Sequence, residues 1–437
     1  SAPRSRITSS APPHGWRPAP GSPAMMRRFR CFADSGPMNC AMRSPKPAFG
    51  ATESAGPCPT ATCSPFSETA MGDDLQAPEP TTSTDETFDS AIVGGGLAGL
   101  SMAILLARRG HRVVVFEKDT YPRQKVCGEY ISVESESFMR ELGVPLEQLA
   151  PPRITRFVLT SPFGHAASCR LSPGGLGIRR YRLDALLAEL AEQSGAQIRT
   201  KCHVRRVAWD PAEARWRVEW AEGTGTSSVS ARVALGAWGR AAAPKQTVLA
   251  GLPTASPSRD ADAPRFIGVK THVNRGPDSD TIEIHHFEGG YAGISQVEDG
   301  TWCLCYLADA RHLGPHGNDF DAFEAGVLAR NPRLRDRLRA DPLHPRVTTS
   351  RIRFGLGAFP DAGAGRSAST TEGGVSSSTM LLPLLGDSSG FIPPITGNGM
   401  SLAFRSTAEL YPHVRRVLEQ DAPLADLQNA WSAWRRG

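Results

Sequence analysis

The run DSAIVGGGLAGLSMAILLARRGHRVVVFEK, from Asp89 to Lys118, leaves this chain few ways to fold. Ser90 to Val93 reads as a strand, Leu97 to Arg109 as an apolar helix and Arg112 to Glu117 as a second strand, which together make a βαβ unit. Gly94, Gly96 and Gly99 stand at GxGxxG spacing between the first strand and the helix. That context separates a dinucleotide site from a chance glycine match. Gly94 allows the tight turn, Gly96 lets backbone amides approach a pyrophosphate, and Gly99 lets helix and sheet close on each other. The helix start at Leu97 and Ala98 offers unpaired N–H groups and a positive dipole end to phosphates. Glu117, with Lys118 beside it, closes the second strand where an acid accepts hydrogen bonds from ribose hydroxyls. The loop alone suits NAD as well as FAD. A second match, at Gly363, Gly365 and Ala368, has no strand before it and no apolar helix after it, so no second nicotinamide-binding unit is expected.

The same run holds 18 uncharged residues, Ser90 to Ala107, but its glycines mark a turn within it and argue against a membrane span. The net charge of +5 lies entirely in the front segment, where eight basic residues face three acids up to Ala70. From Met71 onward the chain is neutral, which removes the basis for a nucleic-acid or anionic-membrane surface and leaves a small molecule as the expected partner. Peripheral contact with a membrane and the oligomeric state stay open. Residues 1–86 contain fourteen prolines and no apolar period. They read as a disordered or non-native extension, with the natural start near Met71 and an organelle transit peptide as the alternative. Cys31, Cys40, Cys58 and Cys63 lack the spacing of a zinc site, and nine cysteines in all fit reduced thiols in a cytoplasm.

Beyond the βαβ unit, a helix from Arg180 to Ser194 aligns Leu183, Leu186, Leu187 and Leu190 on one face. His203–Trp209, Ala214–Trp220 and Arg232–Leu235 read as strands returning to the first sheet. A block from Arg265 to Phe354 has short strands and one helix, Asp319 to Leu338, on a mixed or antiparallel sheet. Residues 361–379 form a loop, and an apolar strand, Met380–Leu385, leads through glycines into a helix from Gly399. His285 and His286 alternate faces on one strand, where one lines a pocket or both are core or rim residues.

Three segments extend the first motif: YPRQKVCGEY with Cys127, Gly128 and Glu129; RRYRLDALLAELAEQSGA with Arg180 and Asp184; and LLGDSSGFIPPITGNGMSLAFRS with Gly386 and Asp387. In this order they resemble the flavoprotein superfamily of geranylgeranyl reductases and aromatic-ring hydroxylases, with flavin-dependent halogenases as relatives. The resemblance spans residues 88–412. It implies an α/β fold, a Rossmann-type FAD-binding domain with a mixed or antiparallel-sheet substrate domain. The expected division is 87–262 and 357–437 for the FAD domain and 263–356 for the substrate domain. It also implies that Asp387 holds the ribityl chain and that Arg180 lies near the phosphates. Val204 then falls on the adenine side, and the turn Thr396–Met400, with Gly397, Asn398 and Gly399, meets the pyrimidine end of the flavin. Cys127 either touches flavin or substrate or is a small buried hydrophobe, and Arg123 and Lys125 serve phosphates or a nicotinamide donor or are solvated loop charges. No catalytic acid or base is assigned.

The reductase groove YxWxFP is represented here by Tyr291-Ala292-Gly293-Ile294-Ser295, with glycine in place of the large aromatic. The reading therefore favours an FAD monooxygenase, reduced by transient NAD(P)H and acting on an aromatic, polyketide or lipid-like molecule. An isoprenoid double-bond reductase is the alternative. Because the chain ends soon after the Gly-Asp helix, a flavin-binding remnant without turnover is the third.

Overall fold

A computed structural model of the chain describes residues 82–222, 225–240, 266–352 and 381–436. The expected extension up to residue 81, its four thiols, the Gly363–Ala368 match and Met380 lie outside the described residues.

The strands run β1 (Thr82–Val93), β2 (Val113–Phe116), β3 (Tyr130–Ser132), β4 (Arg153–Thr160), β5 (Ala166–Gly177), β6 (Gln197–Arg199), β7 (His203–Asp210), β8 (Arg215–Glu222), β9 (Gly225–Gly236), β10 (Phe266–Val273), β11 (Thr281–Phe287), β12 (Gly290–Gln296), β13 (Trp302–Asp309) and β14 (Val347–Ile352). Helices α1 (Leu97–Ala107), α2 (Glu136–Glu141), α3 (Leu146–Leu149), α4 (Arg180–Gln193), α5 (Phe320–Gly326), α6 (Pro332–Leu338), α7 (Gly399–Gln420) and α8 (Leu424–Arg436) punctuate them.

Six strands form one sheet in the order β6-β2-β1-β9-β8-β7, with β1 parallel to both β2 and β9. Every residue of α1 is buried, because the helix packs on this sheet while α4 and α7 cover it. Its uncharged sequence reflects that enclosure, not a membrane. No helix among the described residues is long and apolar enough to cross a bilayer.

The other eight strands form a mixed sheet, β14-β10-β13-β12-β11-β4-β5-β3, in which only β11 and β4 pair in parallel. It takes β3, β4 and β5 from within residues 87–262, so the larger sheet draws on sequence from both sides of the expected boundary.

Local chemistry explains three differences from the sequence reading. The first strand opens at Thr82, because residues before Ser90 pair with β9 from Thr82↔Ser227 onward. The helix expected over Asp319–Leu338 is two helices: the first ends at Gly326, a 3₁₀ turn over Leu328–Arg330 follows, and Asn331 caps the second. Its Oδ1 accepts from Arg333 N and Leu334 N, and Pro332 occupies the first position of α6. The strand expected to end at Leu385 is reduced to a bridge, Gly236↔Leu384. Pro383 has no N–H to donate, and Gly386 turns the chain at φ +56°.

His285 belongs to the core of the larger sheet, bonding Thr160 Oγ1 at 2.9 Å and Glu283 Oε2 at 3.1 Å. Burial pushes the Glu283 carboxyl up, but His285 and a two-pronged bond from Arg337 hold it at about 2, below the ordinary 4.5. A depressed carboxyl stabilises the fold above its unfolded value and loses that contribution as pH falls through the folded value. Urea midpoints should therefore drop between about pH 4.5 and about 2. The Glu283→Gln variant should show a shallower drop; an identical pH slope would remove Glu283 from the acid transition.

Candidate functional site

The three motif glycines do different work. A Cβ on Gly94, whose φ is +111°, would lie 2.3 Å from the Ala237 carbonyl oxygen. One on Gly99 would lie 2.1 Å from Gly94 O. Packing demands both. At Gly96 the nearest atom is Lys125 Nζ, 3.7 Å away, so that face of the loop is open at the start of α1. Gly95, outside the motif spacing, is also required, because a Cβ there would sit 1.9 Å from the Tyr121 hydroxyl.

Glu117 holds this loop from below. Its Oε2 accepts from Gly95 N at 2.8 Å, its Oε1 accepts from Asp119 N at 3.1 Å, and it pairs with the Arg123 guanidinium. Burial works against its charge, yet Arg123 keeps its carboxyl below the ordinary value. Arg123 and Tyr121 both donate to Gly95 O, at 2.7 and 2.6 Å. The geometry thus uses Glu117 and Arg123 to fix the loop. Lys118 is exposed at the strand end, and Val204 is buried in the core of the first sheet opposite Trp220.

Arg180 grips the fully buried Asp184 with bonds of 2.7 and 2.9 Å, and Lys125 Nζ and Arg123 Nε each lie 3.9 Å from the same carboxylate. Arg123 also pairs with Glu117 and Asp119, so three cations meet three carboxylates here, and the Lys125 ammonium lies nearest the open glycine. The Lys125 ammonium beside the open backbone suits a phosphate group.

The Gly-Asp motif arrives at the same place. Gly386 backs onto Ala98, its N–H donates to Ser406 Oγ at 2.9 Å, and Thr407 Oγ1 donates to Ala98 O at 3.0 Å, which seats α7 against the start of α1. Asp387 Oδ1 is buried with no hydrogen-bond partner among the described residues. Burial pushes this carboxyl up while Arg240, Arg180 and Lys125 pull it down. A buried unpartnered oxygen costs stability unless something else satisfies it. Beyond it, Gly397 rests on the Tyr130 ring, Asn398 starts α7 without a side-chain cap, Gly399 opens the helix, and Met400 is buried.

Cys127 is half-buried against the core that holds the first sheet, and Gly128 beside it is exposed. The Cys127 carbonyl accepts from Cys303 Sγ at 3.4 Å, and the Arg180 guanidinium feels the charge of both Cys127 and Asp387. The structure thus brings Gly94, Gly96, Leu97, Ala98, Gly99, Arg180, Gly386 and Asp387 together, with Cys127 and Gly397–Met400 bordering them. Lys118 and Val204 stand apart. Sequence reasoning missed Tyr121 and the buried pair Lys270 and His272. The latter had a signal, since FIGVKTHV places two polar residues on one face of an apolar strand.

Residues 87–274 match the FAD binding domain family. The chain is 31% identical over 122 residues to a menaquinone reductase of Mycobacterium tuberculosis, covering 26% of this chain and 29% of that protein. It is 30% identical over 136 residues to a kynurenine 3-monooxygenase of Xanthomonas oryzae pv. oryzae, covering 29% and 30%. The chain thus matches less than a third of the length of these curated relatives. Its fold is similar to a geranylgeranyl bacteriochlorophyll reductase-like structure from Thermoplasma acidophilum, with a TM-score of 0.61 and 17% identity over 81% of this chain and 84% of that one. The open Gly96 face and the unpartnered Asp387 oxygen fit such a cofactor. Residues 87–274 are thus similar to the FAD binding domain family, and the fold is similar to that of the geranylgeranyl bacteriochlorophyll reductase-like structure.

Proposed function

We propose that the protein is an FAD-dependent oxidoreductase, and that it acts as an NAD(P)H-linked monooxygenase on an aromatic, polyketide or lipid-like small molecule. One observation carries the cofactor assignment: an open glycine face, the Lys125 ammonium beside it and an unpartnered buried carboxylate oxygen converge at the start of α1. The amides of Leu97 and Ala98, with Lys125 and Arg180, receive the pyrophosphate. Asp387 Oδ1 accepts from a ribityl hydroxyl, and the turn Gly397–Met400 meets the pyrimidine end. Bound flavin supplies two-electron chemistry, either hydride delivery or activation of oxygen. The second sheet covers the ring side and keeps water from it, with Cys127 at the junction.

Hydroxylation is preferred because Gly293 replaces the large aromatic of the reductase groove. Among the relatives, kynurenine 3-monooxygenase carries the name of an oxygenase and menaquinone reductase that of a reductase. Cys127 at the flavin border favours the second reading, reduction of a double bond. The five cysteines among the described residues are unpaired, which suits a reducing compartment such as the cytoplasm.

The purified chain should be yellow and should oxidise NADH or NADPH. Oxidation that requires oxygen supports the monooxygenase, and turnover only without oxygen supports the reductase. A folded, colourless protein that takes up no FAD would sink both readings. Asp387→Ala should weaken FAD retention by roughly ten- to a hundredfold, the effect of one hydrogen bond to a charged group. Flavin content equal to wild type after gel filtration would take Asp387 out of the site.

A further inference from the structure

A fully buried cluster of charge lies at the seam between the two sheets, and the proposed chemistry does not use it. Glu129, Lys270 and His272 are each buried to within 1%. Glu129 Oε1 accepts from Lys270 Nζ at 2.8 Å and from the Arg180 backbone N–H at 2.9 Å, and its Oε2 lies 2.7 Å from His272 Nε2. Its backbone sits at φ +57°, a conformation that non-glycine residues adopt only when their surroundings enforce it. Lys270 Nζ also donates to Gln124 Oε1 at 3.0 Å.

One ammonium therefore holds both ends of the segment from Gln124 to Glu129. Lys125 and Cys127 lie between those ends. Gly268, on the same strand, lets Val126 seat against β10, since a Cβ there would come within 2.9 Å of Val126 Cγ1. The strand thus touches the segment at Gln124, Val126 and Glu129. Cys303, paired with His272 across β13, donates to the carbonyl of Cys127 itself.

A buried ion cluster contributes little net stability compared with well-packed apolar residues of the same shape, so its value here lies in position. We propose that Lys270 is a positioning residue: by bonding Gln124 and Glu129 at once, it tethers the Lys125–Gly128 segment to the substrate sheet and fixes where the Cys127 thiol stands. This rests on the assignment of Cys127 to the flavin border, and it deepens that assignment by making strand β10 responsible for the geometry of the border. His272 and the Arg180 amide occupy two further acceptor positions on Glu129.

The readout is the alkylation rate of Cys127 by a maleimide, resolved by peptide mass spectrometry with exposed Cys169 as the internal reference. Two variants are compared with wild type in flavin-free and FAD-loaded protein. Gln124→Leu removes one end of the bridge. The double change Lys270→Met with Glu129→Gln removes both charges and keeps the shapes. The tether predicts that Cys127 reacts on the order of tenfold faster in each variant, as expected when a local segment opens more often. Cys169 should be unchanged, and the visible band of loaded flavin should shift. A merely structural cluster would lower the melting temperature and leave the Cys127 rate at the wild-type value, and that result in folded Gln124→Leu overturns the proposal even if the double variant fails to fold. The placement of Cys127 at the flavin border fails separately, if FAD that is bound does not slow Cys127 alkylation in the wild type.

Discussion

Gly96→Val keeps the fold and loses FAD, whereas Gly94→Val loses the fold. The expected difference between neighbouring members of one motif follows from what each Cβ would meet. At Gly96 the backbone is at φ −93° and ψ −171°, open to any residue, and the nearest atom is the mobile end of Lys125 at 3.7 Å. A valine there should barely move the melting temperature. Its methyl groups fill the space through which a pyrophosphate reaches the helix amides, and affinity should fall on the order of a hundredfold or more, equivalent to about 3 kcal/mol. At Gly94 the same side chain would need φ +111° and would overlap the Ala237 backbone at 2.3 Å. That combination of strain and overpacking belongs with the rare losses above about 4 kcal/mol. The check is a pair of measurements on each variant, thermal unfolding and FAD titration. Equal loss of stability in both would mean that Gly96 is held by packing and not by a ligand.

Asp184→Ala should be the most damaging change of a charged residue near the site. Asp184 is fully buried and carries Arg180 in a two-pronged bond, with Arg123 and Lys125 at 3.9 Å. Burial disfavours its charge, yet the three cations hold its carboxyl below the ordinary range. Removing it leaves a buried guanidinium without its partner, which costs about 3–5 kcal/mol in comparable pairs. Asp184→Asn should lose less, because the amide keeps one acceptor for Arg180. Denaturant unfolding of both variants checks this, and a loss below 1 kcal/mol for the alanine variant would mean that water replaces the carboxylate.

The βαβ unit was legible because its signals are local: strand, turn and helix period all lie within Asp89–Lys118. The helix from Arg180 was legible for the same reason. What local pattern could not show was which partner takes each polar group. Glu117 read as a ribose acceptor, yet in the fold its oxygens bond Gly95, Asp119 and Arg123. Lys270 and Glu129 are far apart in sequence and meet only through the second sheet, so no spacing rule links them. The split at Asn331 was missed because its cap depends on a side chain facing β4 and β11 as well, through bonds to Thr160 Oγ1 and His286 O.

The parallel pairing of β4 with β11 joins Arg156 to Thr281 across more than a hundred residues, and the intervening chain builds four of the six strands of the first sheet. Such nesting means that the second sheet cannot close until β4 and β11 meet across the chain that builds most of the first. The chain must close long loops before those contacts form, which slows folding and raises its contact order. It also means that no cut near residue 262 releases a self-sufficient piece, since β4 would be left without the neighbour it needs. Loss of one sheet and loss of the other should appear as a single cooperative event.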